Sequence, residues 1–161
     1  MVNDEYRKIV LTKIYGVLKP EGFKKKGNNF LKPENDVYLI IQLQSSMFST
    51  QNDLQLTVNL GVFSTLVEQF FSGLSNPSLV KCHWRERIGF LEEKNFDKWW
   101  TITNSDEAEI AGQEIIKILQ EKGLPVLSGL DSTDKLISLW KKGKGAGITD
   151  KQRQSFLELL K

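Results

Sequence analysis

The sequence predicts an α+β fold: an antiparallel β-sheet with helices packed on one face and a helical C-terminal tail. Three observations carry this. Two neighbouring stretches, Val37 to Met47 and Asp53 to Phe63, alternate with period two and are joined by a short loop. Other stretches repeat apolar residues at three- and four-residue spacing, as helices with one buried side do. The elements run helix, strands, helix, strands, helices. Residues 1–123 read as the α+β core domain, and residues 124–161 as a helical extension packed on the same domain.

Along the chain, residues 4–18 are predicted helical, with Tyr6, Ile9, Val10, Ile14, Val17 and Leu18 as the apolar stripe and Pro20 and Gly22 as the stop. A basic Gly/Asn-rich connection over residues 23–29 leads to Phe30 and Leu31, the expected start of a first strand, and residues 33–36 read as a turn. In the two alternating strands, Val37, Leu39, Ile41 and Leu43 share one face, as do Leu54, Leu56, Val58, Leu60 and Val62. The opposite faces carry Gln42, Gln44, Thr57 and Asn59 and are mostly polar. Thr65 to Phe71 reads as a short helix. Cys82 to Phe90 and Lys98 to Thr103 read as further strands.

Asn104 is the expected N-cap of a helix, with Glu107 completing a capping box. That helix should turn Ile110, Ala111, Ile115, Ile118 and Leu119 inward and end at Gly123 and Pro125. Ser132 to Lys141 and Lys151 to Leu160 form the helical tail, and Thr149 with Gln152 is a second capping box.

Composition strikes out several functions. The 161 residues carry 22 Lys+Arg against 20 Asp+Glu, a net charge of +2. This is too mild to argue for nucleic-acid binding, even with Lys24 to Lys26 and Trp99 available. One cysteine, Cys82, excludes an intramolecular disulfide and any zinc site built on several thiolates. One histidine, His83, excludes sites that need two. No cofactor motif is legible: Gly143 to Gly147 lacks the glycine spacing and the Lys-Ser or Lys-Thr of phosphate loops, and reads as a flexible interhelical loop. No run of about 18 apolar residues is present. Asp4 and Glu5 stand where a signal peptide would be basic, so a cytoplasmic protein with no membrane partner is expected.

Strand alternation selects a candidate working surface. If Cys82 to Phe90 is a strand, Cys82, Trp84 and Ile88 share the apolar face and His83, Arg85 and Arg87 share the polar one, in a row about 13 Å long. Glu86 falls on the apolar side and needs a partner or a place near the sheet's end. Opposite facing keeps Cys82 and His83 from acting as a thiol–imidazole dyad. By the same rule Trp99 lies on the polar face beside the arginines, with Gln42, Gln44 and Asn59. Such a surface suits a carboxylate, a phosphate or an acidic partner, because arginine prefers planar bidentate acceptors.

The chain also resembles a known family. Gly22-Phe23-Lys24-Lys25-Lys26-Gly27-Asn28-Asn29-Phe30, Gln44-Ser45-Ser46, Thr57-Val58-Asn59-Leu60-Gly61-Val62, His83-Trp84-Arg85-Glu86-Arg87-Ile88-Gly89 and Asp97-Lys98-Trp99-Trp100 come in the order found in the bacterial domain-of-unknown-function family 4304. The resemblance covers roughly residues 5–120 and leaves out the tail after Gly123. It implies a small bacterial cytoplasmic protein and no particular activity.

Two functional expectations follow. The first is a non-enzymatic binding or interaction module that uses the polar sheet face, its site formed by His83, Arg85, Arg87, Trp99, Gln44 and Asn59 and its partner a protein or a small anionic ligand. The alternative is a small hydrolase-like enzyme with His83 as base and Arg85 and Arg87 as anion clamp. A flat polar face favours the first and a closed cleft around His83 the second.

Overall fold

The structure, a computed structural model, describes residues 2–71 and 76–160. Helix α1 (Val2–Leu18) is followed by strands β1 (Lys24–Lys26), β2 (Asn29–Glu34), β3 (Val37–Ser45) and β4 (Leu54–Ser64), and by helix α2 (Thr65–Phe71). After a 3-10 turn over Leu79–Lys81 come β5 (Trp84–Arg87), a second 3-10 turn (Ile88–Leu91) and β6 (Trp100–Ile102). Helices α3 (Ser105–Ile118), α4 (Leu124–Ser128), α5 (Thr133–Lys141) and α6 (Asp150–Leu159) complete the chain.

The strands form one open antiparallel sheet in the order β1-β2-β3-β4-β5, with β6 also paired to β4. β3 and β4 pair from Val37↔Ser64 to Ser45↔Leu56, so their predicted apolar faces coincide. Leu39, Ile41, Leu43, Leu56, Val58 and Leu60 are buried in one core with Val10, Ile14 and Leu18 of α1 and Ala111 and Ile115 of α3. Leu136 and Trp140 of α5 and Phe156 of α6 belong to the same core.

Several local expectations are corrected. The basic run Lys24–Lys26 is not a connection but edge strand β1, paired with Asn29–Leu31 through a turn in which Gly27 takes φ +62°. All three lysines are exposed, and a lysine-bearing edge resists pairing with another chain. The turn before β3 is shorter than residues 33–36: β2 runs through Glu34, and Asn35 supplies the positive φ of 51°.

The strand expected over Cys82 to Phe90 spans only Trp84–Arg87, and the one expected over Lys98 to Thr103 only Trp100–Ile102. Both pair with the same edge of β4, β5 against Asn59–Val62 and β6 against Leu54–Leu56. Two strands that share one edge of an 11-residue strand must both be short. The link between them doubles back tightly at Gly89, where a Cβ would lie 2.2 Å from the Phe96 carbonyl oxygen.

In α3 the buried stripe is Ala108, Ala111, Gly112, Ile115 and Ile118, while Ile110 is 59 % exposed rather than inward. The small residues of that stripe face α1, and Ile110, about 100° away on the helix, falls outside it. Asn104 Oδ1 accepts the Glu107 amide at 2.8 Å, as an N-cap should. The Glu107 carboxylate does not close the box. It accepts instead from the Thr103 amide and hydroxyl, which hold it below the usual carboxylate range. Nor do Gly123 and Pro125 end the helix: it passes through a π-helical turn, Leu119–Gly123, straight into α4. The Thr149–Gln152 box is complete in both directions.

Val58 is fully buried at the centre of β4. Val58→Asp places an unpaired charge there and should cost at least about 3 kcal/mol. Urea melts at matched protein concentration check this. A midpoint near the wild-type value would mean that this face of β4 is not in the core.

Candidate functional site

The sheet face opposite α1 and α3 carries the polar residues of β2 to β5. Four of them stand in register, Asn29 opposite Gln42, Gln42 opposite Asn59, and Asn59 opposite Arg87. Directly opposed side chains in antiparallel strands lie close enough to interact. They do so here as a chain of hydrogen bonds: Gln42 Nε2 donates to Asn29 Oδ1 at 3.1 Å and Asn59 Nδ2 to Gln42 Oε1 at 3.2 Å. Asn59 Nδ2 also donates to Gln44 Oε1 at 2.7 Å, and Arg87 Nε donates to Asn59 Oδ1 at 3.3 Å. Asn59 is buried and is the hub, with both its amide hydrogens and its oxygen engaged.

The row ends at Arg87. Its Nη1 donates to Asp97 Oδ2 at 2.6 Å and its guanidinium lies over the Trp99 ring, 5.1 Å from the centroid. The stack and the ion pair fix the plane of the guanidinium. Above the row opens a groove of about 580 Å³, bordered by Gln42, Gln44, Asn59, Arg87, Phe90 and Gly147. A second depression of about 520 Å³ continues it toward β1, sharing Gln42, Leu79 and Val80.

Gln44, Asn59, Arg87 and Trp99, named from sequence, are thus brought together. Asn29 and Asp97 join them, neither having been expected at the site. Asn29 enters through the β2–β3 register, which its own sequence position does not announce. Arg85 borders the same groove, but its amide and both terminal guanidinium nitrogens are bonded elsewhere. Its amide donates to the Ala146 carbonyl at 2.9 Å, its Nη2 to the Gly147 carbonyl at 2.7 Å and its Nη1 to the Val80 carbonyl at 3.3 Å. The Gly143–Gly147 segment, expected to be a flexible loop, is therefore seated on the outer edge of β5. Gly147 has φ +78°, and a Cβ on it would lie 2.6 Å from Arg85 Cβ, so only glycine fits the approach.

His83 lies apart from the row. It precedes β5 and is buried between Phe63 and Phe156, each with a ring centroid 5.4 Å away. Its Nδ1 accepts the Ser64 amide at 3.0 Å. Burial pushes its pKa down to about 4, against the opposing pull of the Glu68 carboxylate.

Cys82 also departs from the alternation. Trp84 and Ile88 are in the main core, whereas Cys82 packs on the other face with Ile40 and Phe63. The residue closes the 3-10 turn before the strand begins, so strand facing does not extend to it. Cys82 and His83 consequently border one cavity, not opposite faces. They are not hydrogen-bonded to each other: Cys82 Sγ donates to the Ser78 carbonyl at 3.4 Å. Burial pushes the thiol up to about 12, far from the reactive thiolate range. Glu86 is half-buried, and burial raises its carboxyl. Among the described residues, no group of three or more His, Cys, Asp and Glu side chains is placed to hold a metal ion. Nor is any helix long and apolar enough to cross a membrane.

These features define an α+β protein with an open antiparallel sheet, α1 and α3 on one face and a hydrogen-bonded amide row on the other. The chain belongs to the family described as a domain of unknown function, DUF4304, which it matches over residues 14–129. The match takes in α4, beyond the stretch that the short motifs span, and stops before α5. No curated protein and no solved structure matches the chain.

Two measurements follow from His83 and Cys82. A histidine with a pKa near 4 folded and 6.5 unfolded takes up its proton more readily when unfolded. Its contribution is full above about pH 6.5 and is lost as pH falls toward 4, on the order of 3 kcal/mol across that window. Thermal melts of the wild type and a His83→Gln variant from pH 7 to pH 4.5 should diverge, the wild type losing more. Parallel curves would place His83 in water. Cys82, in turn, should react with a disulfide reagent at pH 8 at least about 100 times more slowly in the native protein than in denaturant. Equal rates would show the thiol to be accessible.

Proposed function

We propose that the protein is a non-enzymatic binding module that takes an oxyanion-bearing ligand or partner on the polar face of its sheet. The observation that carries this reading is the register-aligned row Asn29–Gln42–Asn59–Arg87. The amides hold one another and Arg87 in place before any ligand arrives, which lowers the ordering cost of binding. Arg87 keeps a planar, stacked guanidinium at the groove, the geometry that suits carboxylate or phosphate. Asp97 shares Arg87 with the ligand, so affinity is set by competition and selects ligands with more than one acceptor oxygen. Phe90 supplies apolar margin for the body of the ligand, and Trp99 backs the Arg87 guanidinium. The setting we propose is cytoplasmic, where a lone buried thiol stays reduced.

Inorganic phosphate is the first probe. At constant ionic strength it should raise the melting temperature in a saturable manner, by several degrees at about 100 times its dissociation constant. Arg87→Ala should abolish the saturable part. Arg85 is left intact in this test because it anchors Gly147. Equal protection of the wild type and Arg87→Ala would overturn the reading.

A further inference from the structure

A separate cavity of about 400 Å³ lies between the start of β5, α2 and α6. That volume is at the small end of ligand sites. Its wall combines groups that are complementary to one another and yet not joined. Glu68 is buried, and its Oε2 has no hydrogen-bond partner. Arg85 Nε, on the same wall, is also buried without an acceptor. A buried polar atom left unmatched costs about 1–3 kcal/mol, more when it is charged. Both bordering one cavity is the kind of exception that calls for a missing partner.

The rest of the lining specifies that partner. His83 Nδ1 is occupied by the Ser64 amide, so the neutral ring carries its proton on Nε2 and offers a donor. Lys81 and Lys151 bring two ammonium groups that pair with no carboxylate among the described residues. Val80, Ile148 and Phe156 give an apolar side. The cavity therefore presents one anionic acceptor, several donors and an apolar surface.

We propose that this cavity binds a free α-amino acid, with the ligand ammonium on Glu68, its carboxylate toward Arg85 and Lys151, and its side chain against Val80, Ile148 and Phe156. A simple anion leaves Glu68 unmatched, and a simple amine leaves the donors unmatched. A zwitterion satisfies both sets at once. The site is composite: Glu68 and residues 80–85 lie within the matched family region, whereas Ile148, Lys151 and Phe156 come from the tail beyond it. The site does not depend on the groove over the amide row.

The test is a thermal-shift screen of the full chain against each of the twenty standard L-amino acids, followed by isothermal titration of those that protect. At least one should protect saturably. Glu68→Gln, nearly isosteric, and Lys151→Ala, at an exposed helix position, should each weaken its binding by about tenfold or more. The decarboxylated amine and the deaminated acid of the same compound should each bind at least about tenfold more weakly. The proposal is overturned if none of the twenty protects. It is equally overturned if the folded Lys151→Ala protein binds as the wild type does, or if the deaminated acid binds as tightly as the amino acid.

Discussion

Strand β4 is buried along nearly its whole length on both faces, and the rest of the structure answers to that constraint. A strand in this position cannot leave its polar side chains to water, so each must be matched inside the protein. Thr57 Oγ1 donates to the Lys98 carbonyl at 2.7 Å and so fixes the chain entering β6. Asn59 holds Gln42, Gln44 and Arg87. Ser64 Oγ meets Thr133 Oγ1 at 2.7 Å, and the Thr133 amide donates to Asp36 Oδ1 at 2.8 Å, which ties the start of α5 to the β2–β3 turn. The Ser64 amide also fixes the ring of His83. Three polar residues of one strand thereby position β6, the amide row and the tail. Gly61, on the same strand, leaves room for Cys82, whose Sγ would lie 2.6 Å from a Cβ there.

Arg85 divides the second face into two sites. On one side lies the groove over the amide row, on the other the cavity under α6, and Arg85 borders both. Its guanidinium is a structural clamp between the Val80 and Gly147 carbonyls. The clamp also closes the outer edge of the sheet, because the Ala146 carbonyl takes the Arg85 amide that an open edge strand would expose. With Lys24–Lys26 on the opposite edge, the two flanks are guarded by different means: charge at β1, a seated loop at β5.

Period two was legible wherever one face of a strand meets the core, which is why β3 and β4 and their pairing followed from the sequence. Caps were legible because their chemistry is local, as at Thr149 and Gln152. Three features were not. Alternation says where a side chain points only while the chain is a strand, and the chain is not one at Cys82, which therefore turns to the face opposite the one expected. A proline at the second position of a helical turn is tolerated, so Pro125 gave a false stop once a π turn carried the helix past Gly123. The alignment of Asn29 with Gln42, Asn59 and Arg87 depends on strand register, a long-range property with no signature at any one residue. Gln44, Asn59, Arg87 and Trp99 could be named as a group, but their mutual bonds could not.

The tail changes what the β5 edge of the sheet can offer. The family match ends at residue 129, yet Trp140 and Phe156 lie in the main core. Phe156 reaches over His83, and the loop before α6 lies along β5. The edge of β5 is therefore covered by residues outside the family region, and so is the imidazole. Burial of this kind excludes water from His83 and depresses its pKa, whereas Arg87, four residues on at the end of β5, stays partly exposed with a side-chain exposure of 34 %. Two cationic or titratable residues of one short segment thus end in opposite environments. What separates them is the point where the tail stops covering the sheet. Within this chain the amide row and Arg87 draw their partners Asn29, Gln42, Asn59 and Asp97 from residues 14–129, the matched region. The enclosure of His83 beside Glu68, by contrast, takes its walls Ile148, Lys151 and Phe156 from the tail outside that region.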